Sequence, residues 1–360
     1  MGFKDISDCS VINSSVKTFG LNGLKNIGNT CFMNSVIQCL SNTRWLLEYL
    51  KKDEFMKDIN TSISSMEGAL IKSFAEVIKE LWSEDSFDKV VNTASLKNQI
   101  QSFAPRFMGN SHQDAQEFLR YLLEGLHEEV NIINEKPKPI LTEIDEKLSD
   151  SGNAQESWLT YLRMHNSKIV DNFVGQLKST MKCTHCGYSS VTFDPFWDLS
   201  LFIPQRTDQL SLWQCLDYFT REETLDGIEK PTCSKCKERR KCIKSLSIHK
   251  FPYILVIHLK RFSPTESRGK LNDVIEFPLE GLDMDNFAGE NVATCYNLYA
   301  LLNHSGTTNR GHYTAYCRHP YTSAWHKYND SHVSPISPKS LVSGEAYVLF
   351  YVKDGKKSRL

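Results

Sequence analysis

Apolar residues follow a helical period in the first third of this chain and a strand period in its last third. Leu70, Ile71, Phe74, Val77, Ile78, Leu81 and Trp82 recur every 3.6 residues, which predicts a helix with one buried face. Phe32, Met33, Val36, Ile37 and Leu40 share a face too, so a helix is predicted to begin at Cys31, with Asn29 or Thr30 as its cap. A third helix opens at Ser111-His-Gln-Asp114, which reads as a capping signal, and buries Phe118, Leu119, Leu122, Leu123 and Leu126. Residues 131–157 are charged, carry Pro137 and Pro139, and predict a mobile connection. Beyond them, residues 253–259, 296–302, 312–317 and 346–352 are β-rich runs between turn residues. Residues 1–20 are polar and unpatterned, a flexible lead-in, and 263–271 form a polar loop. A helical front and a strand-rich back predict an α+β fold with a cleft between the two.

Composition narrows the class. The chain has 360 residues, 40% of them hydrophobic, which is ample for a real core. Its 42 basic and 43 acidic residues leave a net charge of −1, so no basic field supports nucleic acid as a partner. No apolar run of about 18 residues is present to span a membrane. The first residues lack the apolar core of a secretory signal. Eleven cysteines without such a signal point to a reducing compartment, cytoplasm or nucleus, where thiols serve as ligands, nucleophiles or core residues. A monomer is the default expectation.

Two pairs, Cys183-Thr-His-Cys186 and Cys233-Ser-Lys-Cys236, have the spacing of metal knuckles. Each can direct two sulfurs at one ion, and together they complete a tetrahedral site for one structural Zn2+. Gly187 permits the tight turn after the first pair. Four thiolates close the coordination sphere, so the ion braces structure. His185, inside the first knuckle, could replace a cysteine as ligand but reads as a bystander, and Cys242 close by is the stronger rival.

Cys31 follows the glycine-containing turn Asn26-Ile-Gly-Asn-Thr30. A thiol at a helix N-terminus meets a macrodipole that favours thiolate, and free N–H groups that can hold an oxyanion. Asn26 can add a side-chain donor. A thiol nucleophile needs an imidazole and a group to orient it. Of eleven histidines His312, after Gly311 at the head of a strand, is the best placed, and Asn329 or Asp330 could face it across a hairpin. His304, His326 and His332 are rivals in the same neighbourhood; His258, in an apolar strand, reads as structural, and Cys39 as core.

These residues carry a resemblance. Gly23-Leu-Lys-Asn-Ile-Gly-Asn-Thr-Cys-Phe-Met-Asn34 resembles the cysteine box of ubiquitin-specific proteases, and His304 to Cys317 with Tyr328-Asn-Asp-Ser331 resembles their histidine box. His112 to Phe118, Phe193 to Leu199 and Ile257 to Phe262 are similar to further blocks of that family, in the family's order. The resemblance implies a papain-like fold shaped as a right hand within a single catalytic domain, 21–354. Its parts are thumb helices (about 21–165), zinc-bearing fingers (about 175–255) and a β-rich palm (about 256–354), followed by a tail at 355–360. It implies a thiol hydrolase acting on ubiquitin and ubiquitinated proteins, with Cys31 as nucleophile, His312 as base, Asn329 orienting it and Asn26 at the oxyanion position. Many relatives have aspartate where Asn329 stands, which leaves Asp330 as a further candidate for the orienting role. The resemblance also places Asp114, with Gln113, against the basic tail of ubiquitin. A ubiquitin-binding scaffold with an inactive site is the alternative.

Overall fold

The computed structural model describes residues 19–84, 89–135, 149–204, 209–262, 269–289, 294–307 and 310–355. Most of the lead-in and tail, residues 136–148 of the connection, and parts of the loops at 263–271 and 303–310 lie outside that set.

The front of the chain is helical as its periodicity requires. Helices α1 (Cys31–Ser41), α2 (Arg44–Lys51), α3 (Ala69–Leu81), α4 (Ala94–Phe103) and α5 (Ala115–Glu129) pack into one core with Leu24, Phe55 and Phe107. One capping expectation is corrected: Thr30 holds the cap position of α1, yet its side chain caps nothing. Within the Ser111–Asp114 signal the cap of α5 is Asp114, whose carboxylate accepts from the N–H groups of Gln116 and Glu117. A second correction concerns the connection: α6 (Asp150–Leu162) is a helix whose cap is Ser149, followed by α7 (Lys168–Phe173). Its long polar stretches hid a face that needs only Ala154 buried.

Two sheets follow. The smaller contains β1 (Gly175–Cys183), β2 (Ser189–Phe196), β4 (Glu223–Leu225) and β5 (Cys242–Lys250), in the order β2-β1-β5-β4 and antiparallel throughout. The larger contains β3 (Leu199–Phe202), β6 (Ile254–Lys260), β7 (Cys295–Gly306), β8 (Gly311–Arg318), β9 (Trp325–Asn329), β10 (His332–Pro335) and β11 (Ala346–Lys353). Their order is β10-β9-β8-β7-β11-β6-β3, and only β3 and β6 run parallel. Both faces of this sheet are covered. On β6, Ile254 and Val256 join the helical core, while Leu255, Ile257 and Leu259 join a second core with α8 (Leu212–Thr220). A strand buried on both sides reads as an unbroken apolar run, which is why 253–259 showed no alternation.

Candidate active site

Helix α1 lies against β8, and a narrow seam fixes its N-terminus there. Leu24 N–H donates to the Asp330 carbonyl at 2.8 Å. A Cβ on Gly23 would sit 2.3 Å from the Ser331 carbonyl oxygen, so only glycine lets the two backbones meet. The turn entering α1 carries Gly28 at φ +110° and Asn29 at φ +51°, and Asn29 Nδ2 ties it to the Asn110 carbonyl at 2.7 Å. The first N–H to bond within the helix is that of Asn34, to Thr30, which leaves the N–H groups of the first turn pointing outward around Cys31.

His312 is the second residue of β8, after Gly311, and because β8 and β9 are antiparallel the end of β9 lies beside it. His312 Nε2 is 2.6 Å from Asn329 Oδ1, which leaves Nδ1 as the nitrogen facing Cys31. The hydrogen bond with Cys31 is the largest influence on this imidazole and, with Asn329, raises its pKa to about 9 against the opposing effect of burial. Cys31 itself is buried within the seam.

The choice between Asn329 and Asp330 resolves in space. Asp330, at φ +48°, spends its carboxylate on two asparagines and reaches His312 only as the last of the charges that raise it. Its Oδ1 accepts from Asn34 Nδ2 at 2.8 Å and its Oδ2 from Asn26 Nδ2 at 2.9 Å. Asn26 Oδ1 in turn accepts from the N–H groups of Gly28 and Thr30 at 3.2 and 3.3 Å. One carboxylate therefore locks the turn before Cys31, the third residue along the helix from it, and the hairpin carrying Asn329.

The rival histidines fall elsewhere. His304 is packed beneath Gly311, where a Cβ would lie 2.0 Å from its Nε2, and burial followed by Lys270 drives its pKa down to about 4. His258 is buried and joins Ser200. His326 pairs across the far end of β9, and His332 is exposed beside Ser331. Asp114 sits at the head of α5 with Oδ1 on its own helix and Oδ2 accepting from the Tyr347 hydroxyl, both neutral donors; Gln113 precedes it, half-buried. Sequence reasoning missed Asn34 and Tyr347. Asn34 is a polar residue on a helix whose every position is buried, which only the structure shows.

In the fingers, the sulfurs of Cys183, Cys186, Cys233 and Cys236 all lie within 4.8 Å of one another, the one such group among the described residues. Cys186 and Cys233 sulfurs are 3.7 Å apart, close to the edge of a tetrahedron around zinc with bonds of about 2.3 Å. The turns after the pairs adopt positive φ at Gly187 and Lys237. N–H groups of Cys186 and His185 hold the Cys183 thiol down to about 6. Cys242 pairs with Cys183 across β1 and β5 and points its thiol at the Arg240 carbonyl; His185 is exposed. The donor set fits a structural zinc.

Comparison with known proteins agrees with this geometry. The family described as ubiquitin carboxyl-terminal hydrolase matches residues 22–351. Ubiquitin carboxyl-terminal hydrolase 2 of Rattus norvegicus is 51% identical over 95% of this chain, and that of Homo sapiens 50% over 95%. The chain spans 55% and 56% of the length of those two relatives, and 97% of the Gallus gallus protein, to which it is 49% identical. Among solved structures, the SAGA Ubp8/Sgf11/Sus1/Sgf73 DUB module bound to ubiquitin aldehyde superposes with a TM-score of 0.72 at 29% identity, covering 96% of this chain and 72% of that one.

Proposed function

Because the chain belongs to the ubiquitin carboxyl-terminal hydrolase family, we propose that it is a cysteine-type deubiquitinase that cuts the peptide or isopeptide bond after the C-terminal glycine of ubiquitin. One observation carries this reading: Cys31 and His312, from opposite ends of the chain, share a hydrogen bond, and Asn329 orients the imidazole. His312, raised to about 9, is a base suited to take the thiol's proton as the sulfur attacks the glycine carbonyl carbon. The tetrahedral oxyanion is met by first-turn N–H groups and by the second N–H of Asn26, whose amide Asp330 holds in place. As the C–N bond breaks, His312 delivers its proton to the departing amine, leaving a thioester. Water, losing a proton to His312, then attacks the thioester and releases ubiquitin with a free carboxylate, and Cys31 is regenerated.

Asp114 is the proposed contact for an arginine of the ubiquitin tail, with Gln113 beside it. Its bonded partners are neutral, so the carboxylate keeps its charge for that arginine. The paired glycines of the tail suit a channel too narrow for side chains. Zinc held by Cys183, Cys186, Cys233 and Cys236 would supply rigidity to the fingers. The ten described cysteines are free thiols, which supports a reducing compartment, cytoplasm or nucleus, as the place of action.

A ubiquitin probe with a C-terminal electrophile tests the proposal. The protein should form a covalent adduct that Cys31→Ala abolishes. Tight ubiquitin binding without adduct would instead establish the inactive scaffold.

A further inference from the structure

Asp114 belongs to a closed circuit of side chains that leaves α5, crosses three strands and returns. Gln116 Nε2 donates to Asp198 Oδ1 at 3.2 Å, and Ser200 Oγ donates to Asp198 Oδ2 at 3.0 Å. That uses the hydroxyl's single hydrogen, so the 2.9 Å contact between Ser200 Oγ and His258 Nδ1 is donated by the ring, which fixes the Nδ1–H tautomer. The His258 ring meets Tyr347 edge to face, centroids 4.8 Å apart, and the Tyr347 hydroxyl donates to Asp114 Oδ2. Asp114 Oδ1 closes the circuit on the N–H of Gln116 at 2.8 Å.

His258 is an expensive residue for this position. Every other residue of β6 up to Leu259 is apolar and buried. Its Nε2 is buried without a hydrogen-bond partner among the described residues, which an aliphatic side chain would avoid. What an aliphatic residue could not do is tie Ser200 on β3 while bracing the Tyr347 ring against Asp114. Burial also keeps the imidazole neutral, so it does not compete for the carboxylate's charge.

We propose that His258 is a positioning residue for substrate recognition: by wedging Tyr347, it sets the Asp114 carboxylate that receives the basic residue of the ubiquitin tail. This rests on the reading of Asp114 given above. The test compares ubiquitin–fluorophore substrates with the native tail and with its arginine replaced by leucine. His258→Ala should raise KM for the native tail about fivefold with kcat within about twofold, and should shrink the preference for arginine by a similar factor. His258→Gln, which keeps a donor towards Ser200, should recover most of both. Alkylation of Cys31 by iodoacetamide should proceed at the unaltered rate, showing the seam intact. Should His258→Ala fold poorly, Ser200→Ala reads the same tie, with a smaller shift in the same direction expected. If the histidine and serine variants keep the full arginine preference while Asp114→Asn loses it, the circuit does not position the carboxylate and the proposal fails alone. If Asp114→Asn also keeps the preference, the reading of Asp114 falls and takes the proposal with it.

Discussion

The four-cysteine cluster of the smaller sheet and the Cys31–His312 seam are both built around sulfur, and they are assembled in opposite ways. Each knuckle of the fingers is local: Gly187 N–H bonds the Cys183 carbonyl at 3.0 Å, and Lys237 N–H the Cys233 carbonyl at 2.8 Å. Around them the apolar packing is thin, little more than Cys242 with Met181 and Tyr188. The seam has no local component beyond the turn into α1. Its sulfur, imidazole, amide and carboxylate arrive on a helix, two strands and a hairpin, and the large helix-and-sheet core holds them in register. Where packing is thin, an ion held by the four proposed ligands would supply the binding free energy that shapes the region. Where packing is dense, the reactive groups are positioned by residues that take no part in the chemistry. Changes in the fingers should therefore act on folding, and changes in the seam on rate.

The largest expected effect tests the seam side. Cys31→Ala should reduce hydrolysis of ubiquitin conjugates by about a thousandfold or more, while its melting temperature stays within a few degrees of the parent. A large loss of stability would show that the seam is structural as well. Next, Cys233→Ser should strip the bound zinc, lower the melting temperature by roughly 5 °C or more, and abolish hydrogen-exchange protection in β1 and β5 ahead of α1 and β8. Unchanged melting in a zinc-free variant would break the contrast. Of intermediate size, Asn329→Ala and Asp330→Ala should each lower kcat by about tenfold to a hundredfold with little change in KM. Only the first should lower the His312 pKa substantially, because Asn329 touches the ring and Asp330 holds Asn26 and Asn34. Equal shifts in an NMR titration of His312 would contradict that division of labour.

The smallest effect is in pH. Cys31, with Asn329, raises His312 from its ordinary 6.5 to about 9, so the folded state favours the imidazolium. That stabilisation is complete below about pH 6.5 and is lost as pH rises through about 9. Cys31→Ala removes its largest cause, so unfolding free energy should vary less with pH across this window than in the parent. Superimposable stability profiles for the two proteins would remove the pair from the account.

Legibility followed the reach of each interaction. The helix over Ala69–Leu81 and the helix start at Cys31 were readable because a face of apolar residues at constant period has one helical solution. The four clustered cysteines were readable because each pair is set by a separation of three residues along the chain. Helix α6 was not, since its burial is almost confined to Ala154 and its composition resembles that of a loop. The polar positions of α1 were silent in the sequence: Asn34 and Gln38 are buried, bonded to Asp330 and to the Asn22 carbonyl.

The amino-acid sequence alone determined the alternation of elements, the two knuckles and the placing of a thiol at a helix start, all of which depend on neighbours a few residues away. Only the tertiary structure decided that Asn329 faces His312 while Asp330 clamps Asn26 and Asn34, and that His258 reaches Asp114 through Tyr347. Those partners are separated by tens to hundreds of residues, and no local preference distinguishes an asparagine from the aspartate beside it. The packing of α1 on β8, closed by the glycine contact at Gly23, selects between them.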